Sequence, residues 1–122
     1  MTDDQIAAEI QAKGLTAPRL TPQHIERTIV GEYYFTAADG VRADPVSAFQ
    51  SLPKSLWNLT FCVLVLRNGY IVTGESAPVS AENFDPELGC KVARQHAKDK
   101  IWALEGYLLK QRIYEGTVTE PA

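Results

Sequence analysis

Apolar positions are densest in Leu59–Ser76, LTFCVLVLRNGYIVTGES. β-branched and aromatic residues dominate it and Asn68-Gly69 interrupts it, which predicts an antiparallel hairpin of strands 59–66 and 70–76. Asn-Gly suits a two-residue type I′ turn, because both central residues there need positive φ. Such a turn sets Arg67 opposite Tyr70, Leu66 opposite Ile71, Val65 opposite Val72 and Leu64 opposite Thr73. Cys62, Leu64, Leu66 and Ile71 then share one face, and Phe61, Val63, Val65, Tyr70 and Val72 share the other. A half-solvated hairpin alternates apolar and polar residues. Here both faces are apolar, so both need covering, by helices of the same chain or by a second copy.

The other patterned segments are helical. Asp3 to Lys13 carries Ile6 and Ile10 one turn apart, with Thr2 or Asp3 to cap it and Gly14 to end it. Thr21-Pro22 is a cap followed by proline in the first turn, and Ile25, Ile29 and Tyr33 follow at i, i+4, i+8. Tyr33-Tyr34-Phe35 is the candidate for one further strand, Ala38-Asp39-Gly40 reads as a turn, and Val41 to Ser55 lacks a period. Asp85-Pro86-Glu87 opens a helix of about 86–113. One stripe of it is Cys90, Ala93, Ala97, Ile101, Leu104 and Leu108; a second is Trp102, Leu109 and Ile113, with Leu88 and Val92 near its other end. Gly106, one turn past Trp102, leaves room for the indole. The fold class is therefore α+β: a hairpin packed on a long C-terminal helix, with one or two short N-terminal helices. Residues 1–20 form a helix and linker, 21–116 one domain and 117–122 a tail.

Length and charge narrow the function classes. At 122 residues, 45% hydrophobic and 22% charged, the chain suits one ordinary globular domain. A net charge of −3 provides no global basic field for nucleic acid. No apolar run nears the roughly 20 residues of a membrane helix, and the acidic start MTDDQIAAEI is unlike a secretory signal. A cytoplasmic protein is expected, with Cys62 and Cys90 as reduced thiols.

Three clusters are candidates for binding. Lys91, Arg94 and Lys98 make a basic face at i, i+3, i+7, able to hold an anion or to serve as the solvated side of the helix. Thr73, Glu75, Ser76, Asn83 and Asp85 bracket the hairpin's exit, as caps and turn ties or as a recognition edge. Trp102, Leu109 and Ile113 offer an apolar contact for a partner or second copy, a homodimer being the simplest assembly. His24 and His96 lack metal-ligand spacing with each other or with Cys62 and Cys90, and none of the four has a partner at catalytic spacing. No metal, no cofactor and no catalytic residue is expected.

The runs LTFCVLVLRNGYIVTGESAPVSAENFDPELGCKVA and KIWALEGYLLKQRIY resemble a family of small tailed-phage and prophage proteins. The family takes its name from gene product forty-nine of phage N4 and gene product sixty-six of phage Sf6. The likeness covers roughly Thr21 to Tyr114 and rests on Asn68-Gly69, Thr73-Gly74-Glu75-Ser76, Asn83-Phe84-Asp85, and Lys100-Ile101-Trp102 with Leu104-Glu105-Gly106-Tyr107. Proline often follows that tryptophan in the family; here Ala103 favours an unbroken helix. The resemblance implies a phage-encoded accessory protein of the infected bacterial cell, and no catalytic residues. Binding of a host or phage protein is the leading expectation. The alternative is a small-ligand binder that takes up a nucleotide signal of host defence.

Overall fold

A computed structural model describes residues 2–15 and 17–118. The elements run α1 (Asp3–Ala12), α2 (Pro22–Thr28), β1 (Ile29–Thr36), α3 (Ala37–Ala43), α4 (Lys54–Trp57), β2 (Thr60–Leu66), β3 (Ile71–Ser76), a 3₁₀ turn (Ala81–Asn83) and α5 (Pro86–Tyr114). The strands form one antiparallel sheet in the order β1-β2-β3. This is the expected α+β architecture, with the long C-terminal helix in place. By their contacts the described residues fall into two compact units: one within Met1–Thr28 and Ile101–Ala122, the other Ile29–Lys100.

In the unit Ile29–Lys100, the hairpin forms where its residues predict, but its register is one residue away from the type I′ expectation. Leu66 N–H donates to Tyr70 O at 2.8 Å and Gly69 N–H to Leu66 O at 2.8 Å, so the loop holds three residues. Only Gly69 in this loop has a positive φ, +91°. This is a turn closed by a left-handed glycine, the usual three-residue alternative to the Asn-Gly turn. Asn68 instead accepts from Tyr70 N–H through its side chain, at 3.0 Å. Val65 now lies opposite Ile71, Leu64 opposite Val72 and Cys62 opposite Gly74. The shift moves Val72 onto the face of Leu64 and turns Ile71 outward, 55% exposed. Gly69→Val is expected to lose about 1–3 kcal/mol in urea melts, because a β-branched residue resists that φ; a loss under about 0.5 kcal/mol would reject the turn assignment.

The buried face of the sheet carries Thr60, Cys62, Leu64, Leu66 and Val72. Helix α5 lies against it through small residues. A Cβ on Gly74 would stand 2.1 Å from Ala93 O and 2.4 Å from Ala97 N, so the strand passes almost in backbone contact with the helix. Gly89 sits over Thr60 in the same way, its ideal Cβ 3.1 Å from Thr60 Oγ1. The stripe Ala93, Ala97, Ile101 is fully buried, whereas Leu104 and Leu108, predicted to continue it, are exposed.

Two further expectations are corrected. The helix begun at Pro22 ends at Thr28, and Ile29 to Thr36 is strand. Ile25, Ile29 and Tyr33 fit a helical period, but β-branched Thr28-Ile29-Val30 and the aromatic run after Glu32 favour pairing with β2. Ala38-Asp39-Gly40 is not a turn but the start of α3, held by a reciprocal cap: Asp39 N–H donates to Thr36 Oγ1 at 3.1 Å and Thr36 N–H to Asp39 Oδ2 at 2.8 Å.

In the unit within Met1–Thr28 and Ile101–Ala122, Thr2 and Gln5 close a capping box on α1. Ile25 is fully buried on one side of α2. Trp102 is half-buried and its Nε1–H donates to Asp3 Oδ2 at 3.2 Å. The space at Gly106 faces Leu20 rather than the indole: its ideal Cβ would lie 3.8 Å from Leu20 Cδ1.

Candidate anion-binding cleft

The unit that pairs the N-terminal segment with the end of α5 contains an open cleft of about 310 Å³, lined by Arg19, Leu20, Thr21, His24, Arg27, Glu105, Leu109 and Arg112. Its walls follow from two helical spacings. His24 and Arg27 are i, i+3 on α2, on the side away from buried Ile25. Glu105, Leu109 and Arg112 are i, i+4, i+7 on α5. Thr21 starts α2 by accepting from His24 N–H through Oγ1 at 3.1 Å, and its carbonyl accepts from Ile25 N–H at 3.1 Å. His24 Nε2 lies 3.3 Å from Glu105 Oε2, a partly buried pair that ties the two walls together.

Arg19 forms the third side. Its Nε donates to Leu15 O at 3.3 Å and its Nη2 to Gln11 Oε1 at 3.2 Å, so the end of α1 holds the guanidinium plane. Its Nη1 is buried and has no hydrogen-bond partner among the described residues. Buried donors in folded proteins are nearly always satisfied, so this nitrogen is an exception, while Arg19 as a residue lines the cleft. Arg27 and Arg112 make no side-chain hydrogen bond or ion pair among the described residues. The cleft therefore sets three guanidinium groups against the single carboxylate of Glu105. Arginine's planar fork matches phosphate and carboxylate oxygens. A second hollow, lined by Asp4, Ala7, Ala8, Gln11, Arg19, Thr21 and Gln23, shares Arg19 and Thr21 with the first.

The clusters singled out in the sequence are placed differently. Leu109 is half-buried in the cleft wall, beside Arg112, and Ile113 is half-buried one turn further on. Lys91 pairs with Glu87 at 3.3 Å on the open side of α5. Arg94 reaches Glu32 on β1, and Tyr34 Oη–H donates to the same carboxylate at 2.9 Å. Lys98 is partly buried. The basic face of the helix is thus largely committed to pairs within its unit. Ser76, Asn83 and Asp85 do come together, around a small hollow of about 160 Å³ with Phe84 and Leu88. Asp85 acts there as the cap of α5, its Oδ1 accepting from Glu87 N–H at 3.0 Å and Leu88 N–H at 3.2 Å. Thr73 and Glu75 are not part of that group; they alternate onto the opposite face of the sheet.

Cys62 and Cys90 are free thiols. Burial pushes the Cys62 thiol up, and burial, with Glu32 alongside, pushes the Tyr34 phenol up. His96 is exposed and its Nδ1 lies 2.8 Å from Glu75 O. No group of three or more His, Cys, Asp or Glu residues among the described residues is arranged to hold a metal ion. No helix among the described residues is long and apolar enough to cross a membrane.

A three-stranded antiparallel sheet with a long C-terminal helix and short N-terminal helices defines a small α+β protein. The chain belongs to the Phage protein (N4 Gp49/phage Sf6 gene 66) family, whose pattern matches residues 20–113. That span includes every cleft residue except Arg19. No curated protein and no solved structure matches the chain.

Proposed function

We propose that this phage-family protein is a non-enzymatic accessory protein of the infected bacterial cell, and that it works by binding a small phosphorylated ligand in the arginine cleft. The observation that carries this reading is the gathering of Arg19, Arg27 and Arg112 around one cleft that holds a single carboxylate, with Arg27 and Arg112 making no side-chain pair among the described residues. A phosphate meeting these donors makes charge-assisted hydrogen bonds of about 1.5–3 kcal/mol each. Leu20 and Leu109 provide apolar wall for the rest of the ligand, as small-molecule sites usually do. A nucleotide has both parts, and taking up such a signal would serve a phage against host defence.

Titration calorimetry with ATP and with pyrophosphate tests the reading. The wild type should bind, and Arg112→Glu should weaken binding by tenfold or more, since each 1.4 kcal/mol is a factor of about ten. Glu105→Gln should strengthen it severalfold by removing the one competing carboxylate. Binding that is absent, or unchanged in Arg112→Glu, would reject the proposal.

A second reading, docking on a host or phage protein, draws on a different observation. Between α3 and α4, Phe49 is 96% exposed and Val46 is 84% exposed. Hot spots of protein interfaces are built on such aromatic residues. This reading gains if the calorimetric experiment is silent.

A further inference from the structure

Only one face of the sheet is covered by α5. On the other face, Tyr33 is 60% exposed, Phe35 and Ile71 are exposed, and Val63 is half-exposed between them. Phe35 stacks on Phe61 across the β1–β2 pair, with ring centroids 5.5 Å apart, so the apolar surface is continuous from the first strand to the second. Val65, opposite Ile71, extends it to the third. The exposed apolar area of these side chains comes to roughly 400 Å², using about 200 Å² for a full aromatic side chain. That is the size of the largest apolar patch on a typical protein, roughly 300–600 Å², which is often functional. With its polar rim it approaches the ~800 Å² per partner of a standard interface.

The charges at its two ends indicate what covers it. Arg67 sits at the hairpin tip and Glu75 near the other end of β3, on the exposed face. Neither side chain has an ion pair or hydrogen bond among the described residues. They are too far apart to pair within one chain, since Ile71 to Glu75 alone spans about 13 Å at the usual strand rise. A twofold axis running across the strands lays the tip of one hairpin over the far end of another. Arg67 of each copy then meets Glu75 of the other, with Tyr33, Val63 and Ile71 between the two pairs. A face with an apolar centre and opposite charges at opposite ends is complementary to itself, which is what an isologous contact requires.

We infer that a second copy of this chain covers the outer face of the sheet, forming a twofold dimer framed by two Arg67–Glu75 pairs. The contact lies on β1, β2 and β3 and does not use Trp102, Leu109 or Ile113. It is independent of the cleft proposal, because no cleft residue belongs to it.

Light scattering on the purified protein at micromolar concentration tests it, with circular dichroism to check folding of each variant. The wild type should have twice the chain mass. Ile71→Glu, at a solvent-exposed position, should give folded monomer. Arg67→Glu and Glu75→Arg should each shift the equilibrium toward monomer at least tenfold, and the double charge swap should restore the dimer. A monomeric wild type would overturn the inference. So would a dimer that survives Ile71→Glu and is dissociated by Leu109→Glu, which would place the contact on α5, and so would a charge swap that fails to rescue.

Discussion

Gly74→Ala should lower stability by about 3 kcal/mol or more, a loss large for a single methyl group. The added Cβ would stand 2.1 Å from the carbonyl oxygen of Ala93 and 2.4 Å from the amide nitrogen of Ala97. Both are backbone atoms inside a continuous helix, so neither can swing aside as a side-chain tip would. Relief requires α5 to move off β3, and that opens the contact of Ala93 and Ala97 with the buried sheet face. Urea melts read the loss directly. Gly40→Ala is the control: nothing lies within 4 Å of its added Cβ and its φ is not positive, so stability should hold or rise by up to about 1 kcal/mol. A Gly74→Ala variant within 0.5 kcal/mol of wild type would mean that the sheet does not approach the helix this closely.

Leu64→Ala should lose about 2–5 kcal/mol, the range for removing a fully buried leucine side chain. Leu64 is 0% exposed, at the middle of the central strand, with β1 and β3 on either side. Its partner decides between two registers. With the three-residue loop it faces Val72; with a type I′ turn it would face Thr73. Melts of Leu64→Ala, Val72→Ala and the double variant should reveal a coupling of about 0.5 kcal/mol or more, because residues in contact are not additive. Additivity for that pair, with coupling to Thr73→Ala instead, would restore the two-residue turn.

The hairpin and the long helix were legible because each carries a strong period and a strong boundary signal: Asn68-Gly69 for one, Asp85-Pro86 for the other. The register was not. Asn-Gly favours a two-residue turn locally, yet the same Gly69 can close a three-residue loop, and only that register puts Val72 and Gly74 on the face toward the alanines of α5. Thr36 and Asp39 spell a helix cap three residues apart, but Gly40 beside them drew the reading toward a turn. The family resemblance was legible from the order of its short motifs, and the family pattern covers residues 20–113. The cleft was not read. Its cations lie at positions 19, 27 and 112, and no local window contains them together. The available signal was geometric: His24 with Arg27, and Glu105 with Leu109 and Arg112, each set one face of a helix.

Arg19, a lining residue of the cleft, is anchored at two of its nitrogens by residues that do not line it, Leu15 and Gln11. A free arginine side chain gives up about 2 kcal/mol of rotamer entropy when it is fixed. On the proposed function, much of that loss is taken during folding rather than at the moment of encounter. The end of α1 thereby acts as a splint. On the proposed function, substitutions at Gln11, which does not itself line the cleft, should tune how tightly the cleft holds a ligand by changing the freedom of a neighbouring arginine.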